Sequence, residues 1–457
     1  ADPVGAGAGK AQSENRGPAG HRLAVIYWLP MTVAVAADSD FAATFKIGLL
    51  RVPGTVFGLV LTTILLHITP NAPWAHLTFM GLLCIPSKPC GQLSSGQPRR
   101  LHSRDAAART FYTAPMLKID THAHILPRDW PNLAAKYGDD RFPVMTHTGG
   151  RHRIYKDSKF FREVWDSAFD PQTRIDDYAR FGVDVQVIST VPVLFSYWAP
   201  GYQALELHRH LNDHMAGMCR DYPRHYAGIG TVPLQAPDLA IRELERCIDE
   251  LGLQGVQIGS HCGDWNLDAP ELFPFFEAAA DLGAAVMVHP WDMMGMPSMP
   301  KYWMPWLVGM PAEQSRAACC LTFGGVLERL PKLRVMLAHG GGSFPFTIGR
   351  IEHGFKMRPD LVATDNPRNP REYLKRMYFD SCVHDDDALR YLLNVTGDRQ
   401  VMLGTDYPFP LGEQEPGSGI EALGLDDTAR ARLFHGTALE WLGLPLQRFA
   451  APSKEPT

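Results

Sequence analysis

The sequence predicts an α/β chain in which roughly the last three-quarters closes into a (β/α)8 barrel. Three observations carry the prediction. From Leu117 onward, short β-rich runs alternate with amphipathic helical stretches, the pattern of repeated βα units and a parallel sheet. The runs number eight in roughly 330 residues, the count and length of a closed barrel with insertions. No G-x-G-x-x-G follows the first run and no Walker loop appears, which argues against an open doubly wound sheet.

The predicted strands, in order, are 117–121, 183–189, 227–232, 255–259, 285–289, 334–339, 377–380 and 401–405. Between them lie stretches such as DLAIRELERCIDEL (238–251), 271–282 and 313–330, each long enough to cross back over a sheet as a helix. The barrel domain is predicted over 116–445, with a short tail at 446–457.

Residues 1–115 have a different texture. The start is rich in Gly and Ala, 23–37 is apolar, 52–87 holds no charged residue, and 92–115 reads as a linker. Within the uncharged stretch VFGLVLTTILL (56–66) has the character of a membrane span, but it is short and flanked by Pro53, Pro70 and Pro73. A membrane segment, a transit segment and a gene-model artefact are the three readings of this extension. Charge divides at the same point: 10 Lys+Arg against 5 Asp+Glu in 1–115, then 34 against 44 in 116–457. An acidic barrel is a poor polyanion binder, so nucleic acid is not expected as a partner. Eight cysteines without a C-x-x-C pair are too sparse for a disulfide scaffold, and reduced thiols in a cytosolic protein are expected.

In a barrel of this kind chemistry sits at the C-terminal ends of the strands. The first predicted strand runs into Asp120-Thr121-His122-Ala123-His124, the fifth into His289-Pro290, the sixth into His339-Gly340-Gly341-Gly342 and the eighth into Thr405-Asp406-Tyr407-Pro408. His122 and His124 stand two apart, so on an extended segment both rings project to one side. Three histidines and one carboxylate at equivalent positions suit a catalytic zinc-like ion with one position open to water or substrate. His339 is expected to take a proton from water rather than to bind the ion, and three glycines after it imply close backbone approach at the barrel mouth. His261, beyond the fourth strand, is given a polar loop role.

Longer motifs then narrow the reading. IDTHAH (119–124), FSYW (195–198), HPWDM (289–293), KYWMPWLVGMPAE (301–313), AHGGGSFPF (338–346), GRIEHGF (349–355) and GTDYPFPLGE (404–413) resemble the 2-amino-3-carboxymuconate-6-semialdehyde decarboxylase family of the amidohydrolase superfamily, from Met116 to about Leu444. The H-x-H and T-D elements are common to the superfamily, whereas the long aromatic segments are specific to these decarboxylases.

The resemblance implies one zinc ion per subunit on His122, His124, His289 and Asp406, with His339 as the catalytic histidine. It implies that Arg162 holds a substrate carboxylate, that Arg350 reaches into the neighbouring subunit of a homodimer to hold another, and that Lys156, Trp306, Met293 and Phe409 belong to the pocket. The implied reaction is a non-oxidative decarboxylation in tryptophan–kynurenine catabolism that limits quinolinate formation. Two guanidinium forks for two carboxylates make chemical sense. The predicted fourth strand, GVQIGSH (255–261), has no lysine of the kind that bridges two ions in binuclear members, which favours a single metal. The rival readings are an aromatic-acid decarboxylase, a lactone hydrolase on the same barrel, and a non-enzymatic, membrane-tethered binding module.

Overall fold

The computed structural model of the chain describes residues 116–449. All described residues belong to one compact unit, Arg109–Thr457. The apolar stretch 56–66 and the linker 92–115 lie outside the described residues, and no described helix is long and apolar enough to cross a membrane.

Fourteen strands are described. β1 (Ile119–His124) opens the barrel, and an antiparallel excursion follows it: β2 (Val144–Thr148), β3 (Arg151–Lys156) and β4 (Lys159–Val164). β5 (Val185–Ser189) is the second barrel strand. The third is broken into β6 (Tyr226–Gly228) and β7 (Gly230–Thr231), which pair with different neighbours. β8 (Gly255–Gly259) carries a small hairpin after it, β9 (His261–Cys262) with β10 (Trp265–Asn266). β11 (Ala285–His289), β12 (Arg334–Leu337), β13 (Tyr378–Asp380) and β14 (Val401–Met402) complete the set.

Parallel pairing runs β1-β5-β6 and then β7-β8-β11-β12-β13-β14. The barrel closes where the chain after β14 returns to β1: Thr121 N–H donates to Leu403 O at 2.8 Å, Asp406 N–H to His122 O at 2.8 Å and His124 N–H to Tyr407 O at 2.7 Å. The (β/α)8 expectation therefore holds, with eight parallel positions at the predicted places.

Local differences from the sequence expectation have physical causes. The predicted helix 313–330 is two helices, Met310–Phe323 and Val326–Arg329, because Gly324 and Gly325 break it, the latter at φ 69°. The predicted sixth strand ends two residues early, at Leu337, and His339 sits in a left-handed turn beyond it at φ 55°. The first strand is shifted: it runs to His124, so both histidines lie within it.

Two apolar layers hold the barrel. Side chains on alternate strand positions, among them Val187, Ala285, Met287, Met336 and Met402, fill its interior above a buried Trp441. The intervening positions, such as Val286, Val288, Val335, Leu337 and Phe379, pack outward against the helices. This period of two decides which residue at each strand end faces the barrel axis.

Candidate active site

Parity along β11 makes His289 an interior residue, since Ala285 and Met287 are interior. The same counting fails on β1. Ile119 is interior, so strict alternation would turn His122 and His124 outward. A bulge between Asp120 and Ala123 inserts one residue relative to β5, and His124 then pairs with interior-facing Ser189. One extra residue flips the face of everything after it.

The outcome is a cluster in which His122, His124, His289 and Asp406 each offer a ligand atom, all four atoms lying within 4.8 Å of one another and all four residues buried. Each imidazole is oriented by its other nitrogen. His122 Nδ1–H donates to Asp380 Oδ2 at 2.7 Å, His124 Nδ1–H to Thr190 O at 2.9 Å and His289 Nδ1–H to Pro290 O at 2.9 Å. All three therefore aim an Nε2 lone pair at the common centre, the arrangement by which metal-binding histidines are held in one tautomer. His289 Nε2 is buried without a partner among the described residues. Burial holds the pKa of His124 and of His289 below the usual imidazole value, which keeps them neutral and ligating. For Asp406 burial opposes ionisation, but His124, His122 and His339 outweigh it and hold the carboxyl well below the usual range. Three imidazoles whose Nε2 atoms face one centre, together with one carboxylate, are a donor set that fits a divalent transition metal.

His339 stands at the edge of this group, its ring centroid 5.0 Å from that of His122 and 5.2 Å from that of His289. Alternation along β12 would send it outward; the left-handed backbone turns it in. Its Nε2 is buried and has no partner among the described residues, and burial pushes its pKa down to about 4, leaving a neutral ring with a lone pair for a proton. Gly340, Gly341 and Gly342 continue the left-handed run at φ 59°, 74° and 59°.

Asp380, at the interior-facing end of β13, is the functional residue that strand-end reasoning passed over. Besides His122 it accepts N–H bonds from His339 at 2.9 Å, Gly340 at 2.7 Å and Cys382 at 3.2 Å. One carboxylate thus holds both a metal-facing ring and the backbone of the adjacent histidine. Its signal was present in the sequence as an acid ending the seventh predicted strand. Gly404 makes room for the pair, since a Cβ there would lie 2.5 Å from Asp380 Cβ and 3.0 Å from His122 Cβ. Behind β1, Asp120 accepts bonds from Thr405 N–H and Oγ1–H and from Tyr178 O–H, tying the strand that carries the histidines to the one leading to Asp406.

A cavity of ≈ 160 Å³ opens over His124, His289 and Asp406. The excursion β2–β4 brings Lys156, Phe161 and Arg162 to its rim, and Trp291, Met293, Trp306 and Phe409 form walls. The Arg162 guanidinium lies 4.5 Å from the centroid of Phe409 and makes no ion pair among the described residues. Lys156 Nζ lies 5.6 Å from the centroid of Trp291. Arg350 is not among the residues lining the cavity; it is exposed on the helix Phe344–Met357, which begins five residues after His339. His261 is also apart from the ligand group, with Nδ1 3.4 Å from Glu313. The six described cysteines are free thiols.

Comparison with known proteins agrees with this geometry. Residues 119–444 match the family described as amidohydrolase. Residues 20–88 match a second family, described as fusaric acid resistance protein-like, and lie outside the described residues. The chain is 53% identical over 335 residues to a 2-amino-3-carboxymuconate-6-semialdehyde decarboxylase of Dictyostelium discoideum, covering 73% of this chain and 93% of the relative. It is 36% identical over 360 residues to the protein of the same name in Caenorhabditis elegans, covering 68% and 90%. Among solved structures, a dihydroxybenzoic acid decarboxylase from a Polaromonas species, with bound manganese and an inhibitor, superposes with a TM-score of 0.58 at 20% identity, covering 74% of this chain and all of that one. The chain belongs to the amidohydrolase family, and within it to the line of decarboxylases that includes the Dictyostelium and Caenorhabditis relatives.

Proposed function

We propose that residues 116–445 catalyse the non-oxidative decarboxylation of 2-amino-3-carboxymuconate 6-semialdehyde to 2-aminomuconate 6-semialdehyde and CO2, using one zinc ion per subunit. The observation that carries this reading is the placement of the Arg162 guanidinium, without an ion-pair partner among the described residues, over a cavity whose floor is a three-histidine, one-aspartate donor set with a fourth histidine beside it. Zinc is preferred to manganese because three imidazoles outnumber the single carboxylate oxygen donor.

When bound, the ion supplies a Lewis acid that lowers the pKa of water toward neutrality. The remaining work belongs to the chain. Arg162 grips one substrate carboxylate with two parallel N–H bonds and fixes the distance of the reacting carbon from the floor. His339 accepts a proton at Nε2 from water as the resulting hydroxide adds to the substrate's conjugated enamine, and it returns that proton to the carboxyl-bearing carbon. As CO2 leaves, the C–C electron pair re-forms the double bond and the hydroxide departs. Trp291, Trp306 and Phe409 limit solvent around the conjugated intermediate. Arg350 fits a role in a two-fold dimer: it projects from an exposed helix face beside the histidine turn and would complete the partner's cavity. Tyr302, Trp303, Leu307 and Val308 are exposed large apolar residues suited to such a contact. The free cysteines among the described residues suit a cytosolic location.

The reading is tested by adding enzymatically generated substrate to the metal-loaded protein and following the loss of its near-UV absorbance and the release of CO2, with and without chelator. Catalysed CO2 release that chelator abolishes is expected. Decay at the spontaneous cyclisation rate in both samples would refute it.

A further inference from the structure

The wall of the cavity between Trp291 and Met294 has a backbone that needs explaining. Asp292 sits at φ 42°, a left-handed conformation that a residue with a Cβ keeps only where its surroundings offset the strain. The segment is exposed to solvent on one side, so apolar packing alone does not hold it.

The restraint comes from behind. Glu313, on the helix Met310–Phe323, is fully buried and is used by nothing in the mechanism above. Its Oε1 accepts the Met294 N–H at 2.7 Å. Its Oε2 accepts the Ser260 hydroxyl at 2.9 Å and an Arg316 N–H at 2.6 Å, and lies 3.4 Å from His261 Nδ1. Ser260 Oγ in turn accepts the Trp291 N–H at 3.2 Å. One carboxylate thus holds both ends of the four-residue wall, Met294 directly and Trp291 through Ser260. Bonds to a buried charged acceptor are stronger than those between neutral groups. Trp291 is also the ring over which Lys156 is held, so the clasp reaches the cation side of the cavity as well.

We infer that Glu313 is a positioning residue for substrate binding, clasping the loop after β11 so that Trp291 and Met293 present a preformed cavity wall. The inference rests on the decarboxylase reading above. It concerns affinity rather than the proton transfer, because Glu313 does not contact the metal group or His339.

The experiment compares E313A, E313Q and S260A with wild type in kcat and KM, each normalised to bound metal, together with backbone hydrogen exchange of the 291–294 segment. In E313A, KM is expected to rise at least tenfold with kcat per bound metal within about threefold of wild type. The Met294 amide should then exchange much faster. E313Q keeps an acceptor for the Met294 N–H and S260A breaks only the Trp291 arm, so both should fall between; either serves if E313A does not fold. An unchanged KM with a loss confined to kcat or to metal-loaded protein would overturn the inference and make Glu313 merely structural. Failure of the decarboxylase reading would appear separately, as absence of turnover in wild type, and the exchange measurement would still test the clasp.

Discussion

Replacing Asp380 by Asn preserves the shape of the side chain beneath His122 but exchanges one of its two acceptor oxygens for an NH2 donor. In the native arrangement Oδ2 receives His122 Nδ1–H and His339 N–H, while Oδ1 receives Gly340 N–H and Cys382 N–H. Whichever way the amide turns, two of these four donors face another donor. With the amide nitrogen at the Oδ2 position, His122 relieves the conflict by moving its proton from Nδ1 to Nε2, and the lone pair aimed at the metal is lost. Losing the partner that orients a ligating histidine lowers metal affinity by about 10–100-fold, or about 1.4–2.7 kcal/mol. A second cost of about 1–3 kcal/mol falls on the fold for each backbone donor left without an acceptor. The assay is competition for metal against a chromophoric chelator, with thermal unfolding of the metal-free variant run in parallel. A weaker metal site in a folded but less stable protein is expected. A D380N protein that binds metal within about twofold of wild type would refute the tautomer argument.

H289A should lose metal and turnover together, whereas H339A should keep its metal and lose activity by a factor on the order of 10² to 10⁴, since it removes a proton acceptor and no ligand; metal analysis beside turnover checks both, and a metal-free H339A would make His339 a ligand. R162A and R350A should each be nearly inactive with metal retained, and mixing them after subunit exchange should restore about a quarter of the sites, because each heterodimer of a two-fold pair has one doubly altered and one intact site; no recovery would exclude Arg350 acting in trans. Glu413 offers a pH test: burial pushes its carboxyl up to about 7, and its Oε2 has no partner among the described residues. A pKa raised on folding means stability that is present below the unfolded value and lost as pH rises through about 7. E413Q should therefore match wild type near pH 5 and exceed it at pH 8 by about 1–3 kcal/mol in chemical unfolding, and equal stability at pH 8 would refute the assignment.

The alternation of β-rich and helical runs is enough for the barrel, because a period of two and a period of 3.6 are written locally and each βα unit buries its own faces. Residue type and strand-end position are enough to nominate His122, His124, His289 and Asp406 together. Direction is another matter. The face to which His122 and His124 turn depends on one bulged residue, placed by the pairing of β1 with β5 across more than sixty positions of chain. His339 points inward only because the backbone after β12 turns left-handed, and the carboxylate that holds that turn arrives from β13, forty-one residues later. The clasp of Glu313 on Met294 and Ser260 likewise joins three segments whose local sequences carry no trace of one another. Periodicity is a property of neighbours along the chain and survives reading one residue at a time. Hydrogen bonds to a buried carboxylate form only when distant segments meet, and no local pattern encodes which segments will do so.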